Sequence, residues 1–190
     1  MSLNRRLQQT TPPHDVRDVL FSAEQIHARI NRLVEEMSRD CLVDDLVMVG
    51  ILRGSFMFLA DLVRDFYRHE VHPRIDFTTL SSYGDATDSS GRVEIQKDIR
   101  VNVEGADVLL VDDILDTGRT LSFACEHLRS KGVRSVKTCV LLDKPSRRVT
   151  PITADYTGFE IEDHFVVGYG LDYASFYRDL PYIAKLTFLE

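Results

Sequence analysis

Two aliphatic runs, Leu46–Ile51 and Val108–Val111, organise the chain, and a further strand is predicted at about Ser135–Leu142. Neither run alternates with polar residues over its central stretch, which fits strands buried on both faces, as in a parallel sheet. Each of the three is followed by a polar turn: Leu52-Arg53-Gly54-Ser55, Asp112-Asp113 with the loop to Thr120, and Asp143-Lys144-Pro145. Helical spacing separates them. Ser22 with Gln25 makes a capping-box pattern ahead of Ile26, Ile30, Leu33, Val34 and Met37, predicting a helix to about residue 38. Phe56, Leu59, Ala60, Val63 and Phe66 predict a second helix facing inward through those residues. Leu121, Ala124, Cys125 and Leu128 predict a third that stops near Gly132.

Two further segments alternate. Arg74–Leu80 does so with Ile75 and Phe77 on one side, and Arg92–Lys97 through Val93 and Ile95. They read as a hairpin joined by the long polar stretch 81–91, a length that marks a functional or disordered loop. Residues 4–20 read as polar and extended, Phe165–Val167 as a core strand and Tyr182–Leu186 as a closing strand. Strands alternating with helices predict an α/β fold with a central, mainly parallel sheet flanked by helices. In such sheets ligands bind at the carboxyl ends of the strands. The length of 190 residues predicts one domain, 1–190, with its core over about 20–186.

Charge and cysteine usage narrow the class. A formal net charge of −7 argues against a general nucleic-acid or membrane surface. It leaves room for an anionic ligand held by a local nest of N–H groups. Cys41, Cys125 and Cys139 are odd in number and lack CxxC spacing. They read as buried thiols in a reducing compartment, the cytoplasm, without a metal or disulfide role. No apolar run is long enough to span a bilayer, and no signal peptide is evident.

The polar turns carry the chemistry. Ionised Asp112 and Asp113 offer only acceptor oxygens, suited to hydroxyl donors such as a ribose diol. Asp116, Thr117, Gly118, Arg119 and Thr120 offer backbone N–H groups and hydroxyls, and Gly118 lets the backbone approach a ligand. A helix starting there aims its positive end at the loop, an arrangement suited to phosphate. Together they describe a site for a phosphorylated ribose. The competing reading is a strand end with a capping Asp and a solvated turn. Gly54-Ser55 alone reads equally as a turn with an N-cap, Lys144 as a surface lysine, and Arg178 as the partner of Asp179 or another acid. Ser146-Arg147-Arg148 reads as a solvated turn. His27 and His164 are given no role.

The segment VLLVDDILDTGRTL, residues 108–121, resembles the phosphoribosyl pyrophosphate (PRPP) signature of type I phosphoribosyltransferases. The outlying segments Leu52-Arg53-Gly54, Ser82-Tyr83, Lys144, Phe165-Val166 and Gly170-Leu171-Asp172-Tyr173 resemble the hypoxanthine-guanine branch. The resemblance implies a type I phosphoribosyltransferase fold with a small hood, about 144–180 plus the N-terminal segment, and a flexible hairpin lid at about 82–92. It implies transfer of 5-phosphoribosyl from PRPP to N9 of hypoxanthine or guanine, giving IMP or GMP and pyrophosphate, with Mg2+ as cofactor. By the same resemblance, Asp112, Asp113 and the 116–120 loop bind the ribose and 5′-phosphate, and Asp116 is the general base. Leu52, Arg53, Gly54 and Arg178 take pyrophosphate, with a cis peptide at Leu52–Arg53. Lys144, Phe165, Val166 and Asp172 serve the purine, and Asp172, with Asp112 and Asp113, the metal. Ser82 and Tyr83 form the lid, and the assembly is a homodimer or homotetramer. Two alternatives stay open: a PRPP-sensing regulator without turnover, and a transferase for another base such as xanthine or uracil. A regulator could dispense with the purine Lys, the stacking Phe and the lid.

Overall fold

The computed structural model describes residues 14–40, 45–83 and 92–189. Among these, the elements in chain order are β1 (His14–Phe21), α1 (Ala23–Asp40), β2 (Leu46–Leu52), α2 (Phe56–Arg68), β3 (Arg74–Tyr83) and β4 (Arg92–Lys97). Then come β5 (Asp107–Leu115), α3 (Arg119–Ser130), β6 (Ser135–Asp143), β7 (Tyr156–Glu160), β8 (Val166–Val167) and β9 (Ile183–Phe188). A single 3-10 turn, Pro145–Arg147, follows β6.

The main sheet runs in the order β4-β3-β2-β5-β6-β7. All neighbours are parallel except β3 and β4. The aliphatic runs form its centre, β2 and β5, where Val47 pairs with Val108 and Gly50 with Val111. Their period of two splits the core. Leu46, Met48, Leu109, Val111, Cys139 and Leu141 pack with the buried face of α1 and α2. Val47, Val49, Ile51, Val108, Leu110 and Val140 pack with Leu121, Ala124, Cys125 and Leu128 of α3. Helices therefore cover both faces, which is why these strands carry no polar alternation.

The crossover from β2 leads to β3 on one side and that from β5 to β6 on the other. The strand order thus reverses between β2 and β5, and that reversal opens a crevice at their carboxyl ends.

The predicted cap of α1 is present. Ser22 N–H donates to Gln25 Oε1 (2.8 Å), and Gln25 N–H donates to Ser22 Oγ (3.3 Å). The second helix is rotated from its expected phase. Its buried face is Phe58, Leu59, Leu62 and Phe66, while Phe56 is exposed and Ala60 and Val63 are half-buried. Phe56 is the first residue of the helix, one turn short of the stripe that meets the sheet. Ser55 makes no side-chain cap; its buried hydroxyl donates to Ile51 O (2.5 Å) and ties the helix start to the strand end. In β3, Phe77 packs against the core while Ile75 stays 40% exposed.

A second sheet, β1-β9-β8, is antiparallel; it joins the N-terminal segment and Val166–Val167 of the expected hood to Ile183–Phe188, which lies beyond the expected bound of about residue 180. Its outer strand β1 comes from the segment expected to be extended, and pairs Asp15 with Thr187. Cys125 and Cys139 are buried thiols; burial pushes the Cys125 thiol up to about 11. Cys41 lies outside the described residues. Among those residues no helix is long and apolar enough to cross a membrane.

Candidate active site

A cleft of about 670 Å³ opens where the strand order reverses. Ile51–Gly54 line it from β2, Asp112–Leu121 from β5 and the start of α3, and Asp172 and Arg178 from the hood side. The structure therefore brings together Leu52, Arg53, Gly54, Asp112, Asp113, Asp116, Thr117, Gly118, Arg119, Thr120, Asp172 and Arg178, residues separated by more than 100 positions in the chain. The Leu52–Arg53 peptide is cis, as expected.

Close backbone approach makes this convergence possible. A Cβ on Gly54 would overlap the Asp113 carboxylate, and one on Gly170 would overlap the Gly54 carbonyl oxygen. The β2 turn, the β5 acids and the 170–172 turn thus meet at points where no side chain fits. Gly118, with φ of 84°, ends the loop as the N-cap of α3 in the left-handed region. A Cβ there would also press on Ile152 and on Thr150 O. The first-turn N–H groups of α3 have no intrahelical partners, and their residues form one wall of the cleft.

The two β5 acids are electrostatically unlike ordinary carboxylates. Asp112 is buried and Asp113 half-buried. Burial first, and then the neighbouring Asp113 carboxylate, push Asp112 well above the usual range; burial raises Asp113 too. Two adjacent acids shielded from water resist carrying two charges unless cations or hydroxyl donors face them. That is a setting for a polyol ligand with a cation. Asp112 Oδ1 accepts from Asp113 N–H (3.0 Å), which fixes its side chain.

On the opposite wall, Arg178 Nη2 pairs with Asp172 Oδ1 at 2.6 Å, and Arg178 Nη1 donates to Gly170 O at 2.6 Å. The acid that partners Arg178 is therefore Asp172, not Asp179. Asp172 Oδ2 also accepts from Ser175 N–H (2.7 Å). Among the described residues no group of three or more His, Cys, Asp or Glu side chains is set to hold a metal ion. The cleft does offer Asp172, Asp112 and Asp113, all hard oxygen donors. Such a set fits magnesium, which takes one or two carboxylates and fills its shell with ligand phosphates and water.

Lys144, Phe165 and Val166 are not in the lining of that cleft; they stand beside it. Lys144 is no surface lysine: its side chain is 8% exposed, and its Nζ donates to His164 O (2.5 Å) and lies 3.6 Å from Asp163. Its N–H donates to Leu115 O (3.0 Å), so it abuts the phosphate-type loop. Phe165 is 46% exposed, with the rings of Tyr173 and Phe188 edge-on at 5.6 and 6.0 Å. Val166 is buried and pairs with Lys185 in the hood sheet. Ser82 and Tyr83 end β3; their side chains, and the stretch 84–91 expected as the lid, lie outside the described residues.

The turn expected to be solvated is instead engaged. Arg148 pairs with Asp143 and donates to Leu115 O (3.0 Å) and to Asp116 O. Arg147 Nε donates to Asp116 Oδ1 (3.2 Å), and its Nη1 lies 3.7 Å from Asp163. Val149 and Thr150 donate their N–H groups to Thr117 O, each at 3.0 Å. The 145–150 segment thus clasps the phosphate-type loop. No periodicity marks two arginines in a turn, so sequence reasoning missed both them and Asp163.

Comparison with known proteins identifies the family. A family model described as "Phosphoribosyl transferase domain" matches residues 19–174. A hypoxanthine-guanine phosphoribosyltransferase of Bacillus subtilis is 44% identical over 173 residues, covering 91% of this chain and 94% of that protein. One from Staphylococcus aureus is 46% identical over 173 residues, covering 91% and 95%. The crystal structure of a hypoxanthine phosphoribosyltransferase from Staphylococcus aureus superposes with a TM-score of 0.86 at 42% identity, covering 98% of this chain and 97% of the other. A Bacillus anthracis hypoxanthine-guanine phosphoribosyltransferase gives 0.84 at 40% identity, covering 92% and 99%.

Proposed function

Because the chain belongs to the phosphoribosyl transferase domain family, we propose that it is a purine-salvage transferase that moves 5-phosphoribosyl from PRPP to N9 of hypoxanthine or guanine. The products are IMP or GMP and pyrophosphate. The names of its relatives support the choice of bases. The observation that carries the reading is the junction of two half-sites: Lys144, a buried ammonium, hydrogen-bonds through its N–H to Leu115 O, the residue that opens the phosphate-type loop.

The reaction breaks the C1–O bond to pyrophosphate and forms the C1–N9 bond, with positive charge on the ribose ring between the two. Placement and electrostatics therefore do most of the work. Asp112 and Asp113 accept from the ribose hydroxyls, and their negative charge answers the charge on the ring. The N–H groups of residues 116–120 and the Thr117 and Thr120 hydroxyls grip the 5′-phosphate, with Arg119 beside them. Leu52, Arg53 and Gly54 take the pyrophosphate from one side and Arg178 from the other, exchanging its Asp172 partner for phosphate oxygens. Asp172, Asp112 and Asp113 are the residues that would hold magnesium, whose positive charge would favour departure of the pyrophosphate.

Asp116 accepts the proton at purine N7. Phe165 stacks on the base and Val166 presents backbone groups to its edge. Lys144 is donor-only, so it serves a 6-oxo group and meets another donor at the 6-amino group of adenine. Ser82 and Tyr83 close over the substrates and exclude water that would capture the ribosyl cation. The protein works in the cytoplasm as a homo-oligomer. The test supplies PRPP and magnesium with each base in turn and follows nucleotide formation. Product is expected with hypoxanthine and guanine. Comparable turnover of adenine would overturn the assignment of the base, and tight PRPP binding without product from any base would make the protein a sensor.

A further inference from the structure

Four charged side chains run in a line from the phosphate-type loop to the base-reading lysine. Asp116 accepts from Arg147 at 3.2 Å. Arg147 reaches Asp163 at 3.7 Å, and Asp163 reaches Lys144 at 3.6 Å. Signs alternate along the line, and each inner member has two partners of opposite charge. Arg147 and Asp163 are each about half exposed, so both are free to shift by a rotamer. Lys144 is buried against His164 O, and Arg148 fastens the Asp116 main chain through its carbonyl, while the Asp116 carboxylate stays partly exposed. The Lys144 end and the main chain of Asp116 are fixed, and the two middle members can move.

The geometry points to Arg147 as a positioning residue that holds the Asp116 carboxylate while the base site is empty and transfers to Asp163 when a 6-oxopurine engages Lys144. The inference rests on the roles of Asp116 and Lys144 given above. Its physics is competition for charge. An oxygen acceptor from the base draws the Lys144 ammonium from Asp163, leaving that carboxylate with one cation. Arg147 is then more strongly attracted to Asp163 and gives up Asp116, whose carboxylate becomes available to the base. Proton acceptance would thereby be tied to the presence of the correct base, and an amino group at position 6, which cannot accept from Lys144, would leave Arg147 in place.

The test is a pair of single variants and their combination, assayed for steady-state turnover of hypoxanthine. Asp163→Asn removes the second partner of Arg147, so Arg147 stays on Asp116. kcat should fall about three- to five-fold, the reach of a half-exposed ion pair, with the KM for PRPP unchanged. Adding Arg147→Gln removes the restraint, so the double variant should recover kcat to near the wild-type value. The rise in hypoxanthine KM caused by disturbing Lys144 should persist. A purely structural role for either residue predicts the reverse, because the second loss would add to the first. An Asp163→Asn enzyme with unchanged kcat, or a double variant slower than the single, overturns the relay while an active wild type leaves the transferase reading standing. A wild-type chain that forms no nucleotide removes both.

Discussion

Arg148→Ala measures how much the clasp over the phosphate-type loop contributes. Arg148 and Asp143 are both shielded, with side chains 15% and 16% exposed. Removing one member of a fully buried ion pair costs about 3–5 kcal/mol, because the other charge is left without a partner. With a sixth of each side chain still in water, the lower end applies, about 3 kcal/mol. Leu115 O keeps the Lys144 N–H as a donor, so that carbonyl adds little. For a chain of this size each kcal/mol lowers Tm by about 2–4 °C, giving a drop of roughly 6–12 °C. Urea unfolding followed by far-UV circular dichroism reads the free energy, and titration calorimetry with PRPP reads the loop. PRPP affinity should fall with stability, since the carbonyls of Leu115 and Asp116 are what the guanidinium holds. In the double variant with Asp143→Ala no charge is stranded, so it should be more stable than Arg148→Ala alone. A loss under about 0.5 kcal/mol, the ordinary range for a surface substitution, would refute the reasoning, as would simple additivity in the double variant.

Three other outcomes follow from the same geometry. Asp116→Asn should cut turnover by about 10²–10⁴, the range for a lost general base, while calorimetry finds PRPP binding largely intact; unchanged turnover would leave Asp116 a positional acid. Lys144→Met should lower kcat/KM for hypoxanthine by about 10²-fold, as expected for one charged hydrogen bond, and sparing of hypoxanthine would remove the lysine from base recognition. At Asp98, burial raises the carboxyl pKa, but hydrogen bonds from Lys131 (2.7 Å) and His127 (3.0 Å) outweigh it and hold the group below the usual range. A depressed folded pKa stabilises above the unfolded value, about 3.9, and that stability is lost as pH falls through the folded one. Asp98→Asn should therefore cost about 1 kcal/mol near neutrality, given partly exposed pairs, and the gap from wild type should close on acidification below about pH 4. A gap that persists at low pH would contradict the sign.

The legible parts of the fold were those with local causes. Leu46–Ile51 and Val108–Val111 are apolar on both pleats because helices cover both faces, so the strands and the ligand end could be read directly. Ser22 with Gln25 caps α1 through bonds three residues apart. The Asp116–Thr120 loop was visible because its chemistry is contiguous. What escaped had distant causes. The phase of α2 depends on where its stripe meets the sheet, and Phe56 is as hydrophobic outside the core as in it. Strand β1 is half polar and pairs with β9 at the far end of the chain. Arg147 and Arg148 find their acceptors up to 33 residues upstream. A turn holding two arginines beside a serine looks the same in sequence whether it faces water or Asp143.

Gly54 and Gly170 touch through backbone alone. Side chains are the compliant filler between packed segments, and at the closest point here there is none, so the contact leaves little slack. Arg53 stands on one side of it; Asp172 and Arg178 stand on the other, with Arg178 O accepting from the Gly170 N–H (3.0 Å). The spacing of Arg53 from Asp172 and Arg178 is therefore set by backbone contact and not by side-chain packing. On the reading proposed above, the two sides that would take the diphosphate are held at a spacing set by the main chain.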